Sequence, residues 1–216
     1  MRVRVKCCGI TRVEDALAAS RLGADAVGLI FTRRSPRYVD PRQAAAIRMA
    51  LPPFVTAVAL FMDDDVAWVA QVLNAVKPDL LQFHGAEPAA FCEIFARPYL
   101  KAVPMATVGD LGAYAAAHPR AAGFLLDAHA AGEAGGSGCT FDWTRVPRDF
   151  PRPLVLAGGL TPDNVGDAVR ATRPWGVDVS SGVESAPGVK DEAKLRRFLD
   201  EVRRAESGLF DADGRG

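Results

Sequence analysis

The chain has 216 residues, with 26 Lys plus Arg balanced by 26 Asp plus Glu, which is long enough for one large domain or two small ones around a substantial core. Balanced charge supplies no net field for nucleic acid or an anionic membrane, so any anionic ligand must be held by a local site. Cysteines at 7, 8, 92 and 139 have no metal-ligand spacing and make a poor disulfide framework, and the expectation is a reduced, cytoplasmic protein.

The amino terminus, Met1 to Lys6, has no apolar run of signal-peptide length, and no apolar stretch approaches the roughly 20 residues of a membrane span. Arg4 to Cys8 reads as a strand. Side chains alternate faces along it, so Cys7 travels with Val3 and Val5 as a small hydrophobe, while Cys8 travels with Lys6 to the strand's end, where Gly9 turns the backbone. A thiol beside a cation has its thiolate favoured, as a base or nucleophile requires. Taken alone, the segment also reads as two ordinary core cysteines.

Val13 to Leu22 is helical and ends at Gly23, and Asp25 to Phe31 is a buried strand. A loop carrying Arg33, Arg34, Pro36 and Arg37 leads to a helix from Pro41 to Met49. The pattern repeats as strand 54–61, helix 64–75, strand 80–83, helix 88–95, strand 100–103 and helix 108–117. Strand 123–126 then leads to a Gly-rich loop at 132–138 and a short helix near Trp143. Strand 154–157 with helix 162–171, and strand 176–179 with helix 191–204, complete eight units. Apolar strands alternating with helices indicate a parallel sheet covered on its outer face, and eight units close a (β/α)8 TIM barrel. A doubly wound open sheet is the competing architecture. Residues 1–205 are assigned to the barrel and the polar segment 206–216 to a disordered tail. Helix faces show no apolar patch, which predicts a monomer.

Active sites of such barrels form at the carboxyl ends of the strands. That rule selects Cys8, Arg37, His84, Asp127, Asp178 and Ser180. Each also has an ordinary reading: a carboxylate caps the next helix, a histidine is satisfied in a turn, an arginine is solvated. Gly158 and Gly159 follow the seventh strand, and Ser180, Ser181 and Gly182 follow the eighth. Glycine lets backbone N–H groups approach an oxyanion, and barrel phosphate sites are frequently made by these two loops. Gly135 to Gly138 could cradle an anion or serve as a lid.

Six segments taken together resemble the phosphoribosylanthranilate isomerase family. They are Lys6 to Thr11, Ser35 to Val39, Leu81 to Gly85, Gly135 to Gly138 with Thr140 to Trp143, Leu156 to Leu160, and Asp178 to Glu184, and the resemblance extends to about Asp191. It implies an Amadori rearrangement of an aminoaldose to an aminoketose in tryptophan biosynthesis, without metal or redox cofactor. It implies Cys8 as general base, Asp127 as general acid, Arg37 near the anthranilate carboxylate and phosphate on the last two loops, while the strand-end rule adds His84 and Asp178 as candidate substrate contacts. The related histidine-pathway isomerase would have an aspartate at position 8. A bifunctional barrel and a non-catalytic phospholigand-binding barrel also fit the motifs. Cys139 stands where family members usually carry lysine, which reduces that loop's charge.

Overall fold

The computed structural model describes residues 2–128 and 140–212; for 209–212 it describes the backbone path only. The Gly-rich loop, Gly135 to Gly138, and Cys139 lie outside the described residues. Eight parallel strands close into a barrel in sequence order: β1 Arg4–Cys8, β2 Ala26–Ile30, β3 Thr56–Phe61, β4 Leu80–Phe83, β5 Tyr99–Pro104, β6 Gly123–Asp127, β7 Leu154–Leu156 and β8 Gly176–Val179. Pairing of β1 with β8 through Arg4↔Gly176 to Cys7↔Val179 seals it.

Helices α1 Val13–Leu22, α2 Pro41–Ala50, α3 Val66–Val76, α4 Ala89–Glu93, α5 Leu111–Ala116, α6 Val165–Thr172 and α7 Glu192–Ala212 surround the barrel, with a 3-10 turn at Trp143–Arg145 between β6 and β7. Their ends follow local chemistry. Gly23 at φ +100° closes α1, while Asp40, Asp65 and Asp110 accept from the first free N–H groups of α2, α3 and α5. Two features depart from expectation. The last helix continues to Ala212 instead of ending at Arg204, and 213–216 of the expected tail lie outside the described residues. An antiparallel hairpin, β9 Glu184–Ala186 with β10 Val189–Lys190, stands between β8 and α7.

The outward faces of the strands and the inward stripes of the helices share one core. Cys7, Val27, Phe61, Phe83, Phe124 and Val177 are all fully buried there. Inside the barrel, Cys8, Ile30 and Leu60 form a separate small cluster, as do Ala102, Leu125, Val155 and Ala157. The two adjacent cysteines thus lie on opposite sides of β1. Large apolar side chains stand exposed around the α2–β3 connection. Phe54 there is fully exposed at 102%, with φ +71°, and Met49 on α2 is 85% exposed.

Below α5, buried His118 stacks on Tyr114 with ring centroids 5.5 Å apart. Burial, helped by Lys101 and Arg152, lowers its imidazole to about 4 from an ordinary 6.5. The unfolded chain therefore binds more protons than the native one between these values, so stability is intact above about pH 6.5 and declines as pH falls toward 4. At about 1.4 kcal/mol per unit the loss is on the order of 2–3 kcal/mol. His118→Phe keeps the stacked ring and should flatten the change in urea midpoint between pH 6.5 and 4; an unchanged slope would assign acid sensitivity to other groups.

Candidate active site

A cleft opens at the carboxyl ends of the strands, lined by Cys8, Ile30, Thr32, Arg34, Ser35, Arg37, Leu60, Met62, Gln82, His84, Asp127, Asp178 and Ser180. The strand-end rule therefore brings Cys8, Arg37, His84, Asp127, Asp178 and Ser180 into one cavity. Ser181, Gly182, Gly158 and Gly159 lie in the adjoining loops and not on its lining. Ile30, Leu60 and Met62 give the cleft an apolar wall beside the cationic Arg34 and Arg37.

Cys8 ends β1 with its register partner Gly28 on β2. A Cβ built on Gly28 would lie 2.7 Å from Cys8 Sγ, so this glycine makes the space that the thiol occupies. Sequence reading passed over Gly28, although an isolated glycine inside a strand signals close approach of a neighbour. Lys6 Nζ donates to Asp178 Oδ1 at 2.9 Å, and both groups are buried. Burial alone would depress Lys6, but Asp178 and Cys8 hold its ammonium above the ordinary range. The thiol goes the other way from the sequence expectation. Burial pushes Cys8 above its ordinary value, Lys6 opposes the shift, and Asp178 adds to it. Desolvation wins over the neighbouring cation because the same burial that strengthens the attraction also strips water from the thiolate.

Arg37 is fixed from below. Its Nε donates to both Glu184 oxygens at 2.9 and 3.1 Å and its Nη2 to Oε2 at 2.9 Å, while Lys190 Nζ donates to Oε1 at 2.8 Å. Burial works against the Glu184 carboxylate, yet hydrogen bonds from Arg37 and Lys190 hold it below the usual range. The methylenes of Arg37 rest on Gly9, at φ +73°, where a Cβ would meet Cδ at 2.6 Å. Glu184 and Lys190 sit on the unexpected hairpin. Its strands are too short to show a period-two pattern, so their function as a cradle for Arg37 was not readable.

Across the cleft, His84 Nε2 lies 3.3 Å from Asp127 Oδ2. Gln82, two residues before His84 on β4 and fully buried, places Nε2 3.0 Å from His84 Nδ1. The β7–α6 loop closes over Asp127. A Cβ on Gly158, which has φ +79°, would lie 3.0 Å from Oδ1, and Gly159 is also in the left-handed region at φ +60°. The β8 loop packs on the same segment, since a Cβ on Gly182 would fall 2.0 Å from the Leu160 carbonyl oxygen. Among the described residues no group of three or more His, Cys, Asp or Glu is placed to hold a metal ion, and no helix is long and apolar enough to cross a membrane.

Comparison with known proteins gives consistent findings. The profile of the N-(5'-phosphoribosyl)anthranilate (PRA) isomerase family matches residues 5–201. An N-(5'-phosphoribosyl)anthranilate isomerase of Xanthomonas campestris is 55% identical over 211 residues, 95% of each chain. The crystal structure of phosphoribosyl anthranilate isomerase from Thermotoga maritima superposes with a TM-score of 0.84 at 41% identity, covering 94% of this chain and 99% of that one. A second phosphoribosyl anthranilate isomerase structure holds reduced 1-(o-carboxyphenylamino)-1-deoxyribulose 5-phosphate; its TM-score is 0.79 at 39% identity, over 94% and 99% of the two chains.

Proposed function

The chain belongs to the PRA isomerase family, and from that premise we propose how its own side chains perform the reaction. It is a phosphoribosylanthranilate isomerase, an enzyme of tryptophan biosynthesis. The observation that carries the mechanistic reading is one cleft lined by both a thiol on β1 and a carboxyl group on β6.

Asp127 acts as general acid. It protonates the ribose ring oxygen, the C1′–O bond breaks, and the anthranilate nitrogen lone pair forms C1′=N. Cys8, as thiolate, removes the C2′ proton, and the released electron pair forms C1′=C2′ while the nitrogen recovers its lone pair. The enaminol becomes the 2-ketose when C1′ gains a proton from Cys8 and the C2′ hydroxyl returns one to Asp127. Both groups regain their starting protonation. No atoms are gained or lost, as an isomerisation requires.

Positions follow from the lining. The anthranilate ring lies against Ile30, Leu60 and Met62 with its carboxylate toward Arg37, whose guanidinium is held in orientation by Glu184. His84 and Asp178 border the sugar. Phosphate sits on the loops of Gly158, Gly159, Ser180, Ser181 and Gly182. Support comes from two glycines at positive φ and the tight packing of these loops, which bring backbone close to one point. Cys7, Cys8 and Cys92 are free and buried, in keeping with a reducing cytoplasm.

The test is the loss of phosphoribosylanthranilate fluorescence when the purified protein is added. Turnover is expected. Binding of the reduced product analogue without turnover would instead identify a phospholigand-binding barrel, and turnover of a second aminoaldose phosphate would identify a bifunctional enzyme.

A further inference from the structure

The interior of β4 raises a question that the reaction leaves unanswered. Gln82 is fully buried, its register neighbours Leu60 on β3 and Leu100 on β5 are apolar, and its Oε1 has no hydrogen-bond partner among the described residues. An amide in such surroundings is costly unless its hydrogen bonds do something an apolar residue could not. Its Nε2 is 3.0 Å from His84 Nδ1, and His84 Nε2 is in turn 3.3 Å from Asp127 Oδ2. The i, i+2 spacing on one strand puts both polar side chains on the same face.

We propose that Gln82 and His84 are the positioning pair for Asp127: the Gln82 amide donates to Nδ1, fixing the ring proton on Nε2, and Nε2–H holds Oδ2, leaving Oδ1 to carry the transferred proton. A neutral imidazole has one donor and one acceptor nitrogen, and the partner of one nitrogen sets the role of the other. With the proton on Nδ1, the Nε2 lone pair would face the carboxyl group and draw its proton away from the sugar. With the proton on Nε2, the histidine steadies the acid and stabilises the carboxylate left after transfer. The free enzyme's 3.3 Å is long for a hydrogen bond, and contacts of this kind tighten when substrate binds. Oδ1 lies on the side of Gly158, so the split between the two oxygens is built into the loop packing.

This inference rests on the reading of Asp127 as acid, and the first measurement is chosen to be independent of it. Long-range ¹⁵N–¹H NMR of the imidazoles, with His84 assigned through His84→Gln, is expected to show the Nε2–H tautomer in the parent protein, with no turnover needed. A parent His84 protonated on Nδ1 would overturn the proposal, whether or not any variant folds. In kinetics, Gln82→Leu should lower kcat about 10- to 100-fold, the scale of a misplaced catalytic group, with KM changed less than about threefold by the same reasoning. The double variant Gln82→Leu/His84→Leu should be no slower than His84→Leu alone, because Gln82 acts through the ring. His84→Gln, which retains an N–H donor, should keep more activity than His84→Leu. An unchanged kcat in a folded Gln82→Leu would overturn the proposal. Full activity in Asp127→Asn would remove the acid assignment while leaving the tautomer result intact.

Discussion

Cys8→Ala and Asp127→Asn are each expected to lower kcat about 10²–10⁴-fold, the usual contribution of a positioned general base or acid. Both variants should still bind the reduced product analogue within a few fold, since neither position is proposed to hold the phosphate or the anthranilate carboxylate. The double variant should lose less than the product of the single losses, because base and acid serve one proton inventory. The electrostatics add a second readout. Burial places the Cys8 thiol above its ordinary value of 9.0, against the pull of Lys6. The form with Cys8 ionised and Asp127 protonated carries one proton, and the alkaline limb of kcat/KM marks the loss of that last proton from the pair. That limb should lie above the range of an ordinary thiol in the parent, because burial raises Cys8, and vanish in Cys8→Ala. Turnover that survives both substitutions would keep the substrate and discard this mechanism.

Glu184→Gln is expected to cost about 3–5 kcal/mol of stability, the penalty for removing one partner of a buried ion pair. The size follows from what is left behind. Arg37 and Lys190 both direct their charges at this carboxylate, the Glu184 side chain is only 5% exposed, and the two cations are 11% and 1% exposed. Urea unfolding at neutral pH measures the loss, and Lys190→Met in the same chain should recover part of it by removing one of the stranded charges. Because Glu184 is held below the usual carboxylate range, its contribution is fully present above the unfolded value of about 4.3 and is lost as pH falls through the native one. The difference between parent and variant should therefore shrink at acid pH. KM should rise as well, since Arg37 loses the anchor that aims it. A stability loss below about 1 kcal/mol, the range of exposed pairs, would show that water screens the triad.

What could be read from the chain, and what could not, divides by distance along it. Alternation over a few residues separated Cys7 from Cys8, and the structure places them in different clusters. Strand ends, found from local apolar runs, were enough to collect six cleft residues. Helix boundaries were looser where a cap competed with the pattern. A helix expected from Val108 begins at Leu111 because the Asp110 side chain accepts from Gly112 and Ala113, and one expected to reach Phe95 stops at Glu93, before Ala96 at φ +50°. Pairings were beyond reach. Arg37 with Glu184 and Lys6 with Asp178 join residues 147 and 172 positions apart, and no periodicity reports which distant charge will meet which. The upward displacement of Cys8 was missed for the same reason: Lys6 was visible beside it, whereas the depth of burial and the Asp178 carboxylate arrive only with the closed barrel.

The seam between β1 and β8 also sets an order of events. Lys6 with Asp178, Thr11 with the Gly188 carbonyl, and the Lys190 N–H with Asp15 are separated by 172, 177 and 175 residues. Loops that long are the last that a folding chain has reason to close, because their entropy must be met before the contacts they bring can repay it. The environment of the thiol is assembled from those same contacts. A partly folded chain with seven strands in place would have most of its core but not the buried surroundings of the proposed base, so turnover is expected only once the two ends of the sequence have found each other.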